Sequence, residues 1–405
     1  MPCRALFPLL LLGGGCGAGD SQLARTLTPL PLAADLTAAP DPEARVLELP
    51  ASPAWDRRPL LRLRHRCEDR RAPRLAGVWA LGCDGLGRVA QAERLTDGLE
   101  VELAQPETLV GVAPGLVGAV SPGRVWRLPD PTPTPGERRP LLEVVAAPAY
   151  DGAHLAIATE DRISVFTRGD AVLRSREAVP LPWFPPALSW PTVLWVDGRD
   201  QDTTGLDLWR WDADAGPPRP WVTRPGDQRH VVAADGWAAW LDDEGVWLER
   251  LADGARWLHR AEVGFRAPPS LWHGVVCWEE RADGEIDVAC SDGLRVDSDG
   301  DQGWPSRWGP WLLFRQGDDA WLATAREVVV SADDPRAEPL ADGSGFSVAT
   351  AWPLGGWCAE VFQGSTWRPT GPALRGDALR WEVPGEALRL RPAERGVPCP
   401  VEVRP

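Results

Sequence analysis

Residues 193–211 read VLWVDGRDQDTTGLDLWRW, and their pattern decides the fold. An apolar run ends in an aromatic, an acidic, Gly-bearing turn follows, and a second run alternates in character. Such a stretch makes a β-hairpin with one face buried. The pattern returns as AAWLDDEGVWLE at 238–249, VVCWEERADGEIDVA at 275–289 and WLLFRQGDDAWLA at 311–323.

The aromatic anchors of these hairpins are Trp195, Trp240, Trp278 and Phe314, separated by 45, 38 and 36 residues. Trp79, Val120 and Ile157 hold similar places upstream, and Trp357 downstream. A period near 40 residues with about four short strands in each repeat is the signature of a β-propeller. One four-stranded blade cannot bury both its faces, whereas stacked blades bury them against each other. The expected fold is therefore all-β, a propeller of seven four-stranded blades, one terminal repeat lending strands to ring closure. Six and eight blades stay open. Trp195, Trp240 and Trp278 sit at equivalent repeat positions, which points to packing between blades rather than to a stacking platform for ligand.

Helix is expected to be nearly absent. The apolar runs are about four to seven residues, short of what a helix needs. Between them fall the Gly and Pro residues, 41 and 42 in number, which stop helices and make turns. A closed ring also requires the ends to meet, so strands near 44–66 should pair with or pack beside the last repeat, around 346–374.

The segment 184–330 resembles the bacterial periplasmic propeller repeats of the TolB-like, WD40-like kind. The resemblance lies in the apolar run ending in Trp, the acidic turn, and the Asp-aliphatic pair of the next strand, Asp207-Leu208 and Asp287-Val288. It implies a ring of four-stranded blades and protein–protein contact, and it names no partner.

Residues 4–15, RALFPLLLLGGG, read as an export signal: one positive charge, an apolar run too short to span a bilayer, then small residues. Cys16 follows three glycines and so resembles the lipid-accepting Cys of a bacterial lipoprotein. The position three before it, where that family has a large aliphatic, is Gly13. Ordinary cleavage nearby is the alternative. The chain then divides into a signal (1–16), a Pro/Ala-rich tether (17–52), the propeller (53–374) and a C-terminal β tail (375–405) stapled to the last blade.

Six cysteines follow the signal: Cys67, Cys83, Cys277, Cys290, Cys358 and Cys399. An even number in an exported chain suggests disulfides. Cys277 and Cys290 lie on the two arms of one hairpin, Cys67 and Cys83 bracket a similar stretch, and Cys358 with Cys399 remain. Zinc is the alternative, but the close paired spacing it favours is missing.

The net charge of −15 argues against nucleic acid, and against an anionic membrane surface, as a partner. No Lys and no Asn occur, so every permanent cation on a side chain is an Arg. The five His are scattered, and neither a HExxH nor a GxSxG motif is present. Asp297, Asp299 and Asp301 alternate in DSDGDQGW and could converge on calcium, although no Glu closes an EF-hand loop. The same stretch partly resembles the Asp-box turn of sialidases. A solvated acidic turn is the plainer reading. The acids Asp197, Asp200, Asp242, Asp243, Glu279, Glu280, Asp318 and Asp319 recur by repeat and should share one rim of the ring, for solubility or for a cationic partner.

The function expected from this is a monomeric, exported, cell-envelope module that binds or scaffolds protein without catalysis. It needs no cofactor, calcium aside, and touches membrane only through a lipid anchor. The alternative is a propeller hydrolase or lyase with carboxylates in the central channel.

Overall fold

The computed structural model describes residues 44–47 and 55–59, most of 74–134 and of 146–369, and 380–392. Every regular element among them is a β-strand. Among the described residues, seven antiparallel sheets succeed each other along the chain, at 74–107, 111–134, 149–177, 187–222, 229–260, 270–296 and 302–325. In the first six, four consecutive strands pair in order. The first strand of each sheet touches the first strand of the next, and the first strand of the seventh returns to that of the first. This is a β-propeller, and the sheets are called blades 1 to 7 below.

Among the described residues the seventh blade supplies three strands of its own. Trp55–Pro59 completes it, lying antiparallel to Asp319–Ala325 with Trp55 opposite Ala325 and Pro59 opposite Trp321. The N-terminal segment thus closes the ring, hiding an edge that would otherwise remain open. Just before it, Arg45–Leu47 pairs in parallel with Ala255–Arg260, the outer strand of blade 5.

The core lies between blades, in separate clusters. Trp195 packs between blades 3 and 4, Trp240 between 4 and 5, Trp278 between 5 and 6, and Phe314 between 6 and 7. All four anchors face the preceding blade and are buried. Their neighbours alternate to the following blade, as the two-residue period of a strand requires. Leu75 and Ala80 of blade 1 share a cluster with Leu313 and Leu322 of blade 7, which seals the ring. Turns match their residues: Asp235-Gly236, between the first two strands of blade 5, has φ of 53° and 81°. Gly and Asp tolerate that left-handed pair, whose twist suits a two-residue hairpin. Cys277 and Cys290 face each other across blade 6 and are disulfide-bonded, with Cα atoms 4.0 Å apart.

The chain from 328 to 392 does not continue the ring. Val328–Ser331, Trp357–Gln363, Thr366–Pro369 and Ala387–Pro392 form one sheet. Ala337–Pro339, Phe346–Ala349 and Arg380–Val383 form a second. Phe346, Val348, Val361, Val383, Leu388 and Leu390 pack together between them, in a core that Ala325 at the end of blade 7 also enters. Ring closure is therefore made on 319–325, not on 346–374, and Trp357 opens a strand of this C-terminal unit rather than anchoring a repeat. The tail beyond 375 is part of the same unit, because Ala387–Pro392 is an interior strand of its sheet. Cys358 there is disulfide-bonded. The unit also meets the ring at Arg336, whose stem lies against the backbone of Gly274 and beside Trp237.

Candidate functional site

Strand direction gives the ring two unlike ends. One carries the connections between blades and the turn between the second and third strand of each blade, and is called the upper end here. The lower end carries the remaining turns and meets Arg336.

The acids that recur by repeat do gather at the upper end, but in two layers. Asp197 and Asp242, which close the second strands of blades 4 and 5, are buried and matched by arginines. Arg199 holds both oxygens of Asp197 at 2.7 and 2.9 Å, and its guanidinium lies 3.6 Å from the centre of the Trp209 ring. Arg224 pairs with Asp242 at 3.5 Å and covers Trp247 at 4.4 Å. A planar guanidinium can pair and stack at once, which an ammonium does less well. Burial raises the pKa of Asp242 and of Glu280.

The second layer is displayed. Asp202, Asp243, Asp283 and Asp319 occupy the turns of blades 4, 5, 6 and 7 in succession, and all four are exposed. Among the described residues none of them pairs with a cation. At the lower end Asp214 pairs with Arg174 at 3.3 Å and Asp253 with Arg250 at 2.6 Å, while Asp235 lies 3.6 Å from His273, whose pKa burial lowers. At the upper end the exposed Glu244 and Asp301 pair as well, with Arg224 and Arg266, each at 3.0 Å. Asp200 and Asp318 lie outside the described residues.

Between blades 6 and 7 the upper end holds one unusual acid. Glu279 follows the anchor Trp278, in the place that Val196 and Leu241 fill in blades 4 and 5. Its side chain is fully buried, and burial raises its pKa. One oxygen accepts the backbone N–H of Trp304 at 3.2 Å. The other lies 3.6 Å from Arg266 Nε, and the Arg266 guanidinium and the backbone N–H of Ala267 favour the charged form against that burial. Two glycines make room. A Cβ on Gly303 would lie 2.3 Å from Glu279 Oε1, and one on Gly264 would lie 3.0 Å from its Cβ. Neither glycine has a left-handed φ, so space rather than backbone freedom calls for them. Trp304 does, at 57°, an uncommon place for a bulky residue.

Asp301 belongs to this site, in a role different from calcium binding. Its Oδ1 accepts the N–H of Ile286 at 3.1 Å and its Oδ2 accepts from Arg266 at 3.0 Å. The triplet Gly300-Asp301-Gln302 repeats Gly226-Asp227-Gln228 two blades earlier, where Asp227 likewise accepts from Leu206 at 3.0 Å. In both, the Gln amide donates to two carbonyls of its own loop: Arg224 and Gly226, or Ser298 and Gly300. In both, the residue two further on, His230 or Trp304, is left-handed. The triplet is a staple that pins the connecting loop to the third strand of the blade before it. Asp299 contributes its carbonyl to Gln316, and Asp297 lies outside the described residues. Among the described residues no group of three or more His, Cys, Asp or Glu could hold a metal. Cys16, Cys67 and Cys399 also lie outside them, and for Cys83 only the backbone is described.

No protein-family model matches the chain, and no curated protein matches it. Solved structures similar to it include three bacterial or archaeal proteins. BamB from Moraxella catarrhalis is 10% identical, covering 81% of this chain and 97% of that one, with a TM-score of 0.39. The β-propeller domain of the Trilobed protease from Pyrococcus furiosus is 10% identical, covering 65% and 96%, with a TM-score of 0.44. TolB from Acinetobacter baumannii is 10% identical, covering 58% and 59%, with a TM-score of 0.36.

Proposed function

We propose that the chain is an exported β-propeller that binds a protein partner at the cell envelope, without catalysis, through the upper end of its ring. The observation that supports this is the asymmetry of charge. One end presents, on each of four neighbouring blades, an exposed Asp that has no cationic partner among the described residues, while at the other end the exposed Asp214 and Asp253 are neutralised by arginines. A surface of one sign steers a partner of the other and sets its orientation. Export, and lipidation at Cys16, rest on the signal-like N-terminus, and monomeric behaviour is part of the proposal.

A photo-crosslinking residue placed at Asp283 or at Asp253, in the cell that makes the protein, tests it. Discrete adducts from the upper position only, weakened by salt, are expected. Equal adducts from both positions, or none from either, would remove the reading. One observation favours a hydrolase or lyase instead: Glu279, a buried acid with a raised pKa, is the kind of group that serves as a general acid. Catalysis by it would show as turnover lost in Glu279→Gln with partner crosslinking retained.

A further inference from the structure

We infer that Glu279 receives an arginine side chain of the protein partner, and that Arg266 is the resident stand-in for it. The inference rests on the protein-binding reading and names the anchor within it. Three features of the site carry it.

The fold does not ask for a carboxylate here. The equivalent positions in blades 4 and 5 hold Val196 and Leu241, both buried and packed. Placing a carboxylate in such a spot costs free energy unless it is paired and hydrogen-bonded. Glu279 is loosely provided for, with one oxygen on the Trp304 N–H at 3.2 Å and the other 3.6 Å from Arg266 Nε, near the Ala267 N–H.

The site is also built around the acid. Gly303 flanks it where any side chain would collide with its Oε1, and Gly264 where a side chain would crowd it. The connecting loop that carries Gly303 and Trp304 is pinned by the Asp301 staple to Ile286, so the carboxylate sits against a braced backbone.

Among the described residues, the cation at hand is loosely held. The Arg266 side chain is 45% exposed, stands 3.6 Å from Glu279, and makes its hydrogen bond instead to Asp301, which is itself exposed. A guanidinium that approached Glu279 in plane could bond both oxygens, the bidentate arrangement that Arg266 does not reach. Arg266 can turn outward on Asp301 and give way. The exposed Asp283 and Asp319, on the turns of the same two blades, would draw a cationic segment toward this point.

The test uses the full chain and two small probes, N-acetyl-arginine amide and its neutral analogue N-acetyl-citrulline amide, titrated by thermal shift. The arginine probe should bind at least tenfold tighter than the citrulline one. Arg266→Ala should tighten it a further threefold or more, and Glu279→Gln in that background should abolish the difference between probes. Glu279→Leu, which copies blade 5, serves where the Gln variant does not fold. Probes that bind alike, or an arginine preference that survives loss of Glu279, overturn the inference. Crosslinking separates it from the wider reading. If neutralising Asp243, Asp283 and Asp319 removes the partner adduct but Glu279→Leu keeps it, the anchor falls and the binding face stands. If both variants keep the adduct, both fall.

Discussion

Arg307 and Asp292 form a salt bridge 2.8 Å long with side chains only 1% and 3% exposed. Arg307 is in the innermost strand of blade 7 and Asp292 in a lower turn of blade 6, so the pair ties two blades where Arg336 approaches. Asp292→Ala leaves a buried cation without its partner and should cost about 3–5 kcal/mol in urea unfolding. Replacing both, as Arg307→Met with Asp292→Leu, should restore most of that. A single variant as mild as a surface change would show that the charge is not buried in solution.

The disulfide makes a second prediction. Cys277 and Cys290 close a loop of sequence separation 13 inside blade 6. Chain-entropy arguments give such a closure about 3 kcal/mol. Cys277→Ala with Cys290→Val should lower stability by that order without changing the strand content seen by circular dichroism, and thiol titration of the unfolded parent should detect neither cysteine until reductant is added.

His259 provides a pH dependence. It is buried in the outer strand of blade 5, stacks on Trp278 at 5.5 Å, and neither ring nitrogen has a hydrogen-bond partner. Burial lowers its pKa from 6.5 to about 4. Between those values the unfolded chain takes up a proton that the folded chain refuses. Stability therefore falls as pH drops from 6.5 toward 4 and takes no further loss from this group below that. The loss is of order 3 kcal/mol. Urea midpoints for His259→Leu should stay flatter across that window than those of the parent. Parallel curves would exclude the histidine as the cause.

Ring closure can be tested by removal. A chain starting at residue 60 lacks Trp55–Pro59, which leaves Asp319–Ala325 as an open edge. It should melt lower and self-associate, and a synthetic peptide of residues 44–59 added in trans should raise the melting temperature. An unchanged melting temperature would mean that the pairing contributes nothing to closure.

Much of the ring was legible because its signal is local and repeated. An apolar run ending in Trp, then an acidic turn, is enough to place Trp195, Trp240, Trp278 and Phe314 between blades. The C-terminal unit was not legible, because Trp357 falls 43 residues after Phe314 and so imitates the period, while its pairing with 387–392 is set by contacts far along the chain. The acids divided for a similar reason. Asp242 and Asp243 are neighbours in sequence, yet one is buried beneath Arg224 and the other faces water, a difference that strand direction fixes. Glu279 did leave a trace. It is an acid where two other repeats have Val196 and Leu241, and an exception to an apolar position marks a site better than one more acid in a turn. Asp301 drew attention for alternating with Asp297 and Asp299, but its work is to hold a loop.

The two N-terminal strands also decide how the ring answers to force. A pull on the chain ahead of residue 44 meets the three residues of Arg45–Leu47 on blade 5 before it reaches the five of Trp55–Pro59 on blade 7. The short parallel strand yields first and lengthens the lead, while the strand that closes the circle stays in register. A molecule moored by its N-terminus would in this way spend its first extension on a sacrificial link, and the ring would open only under a load that outlasts it.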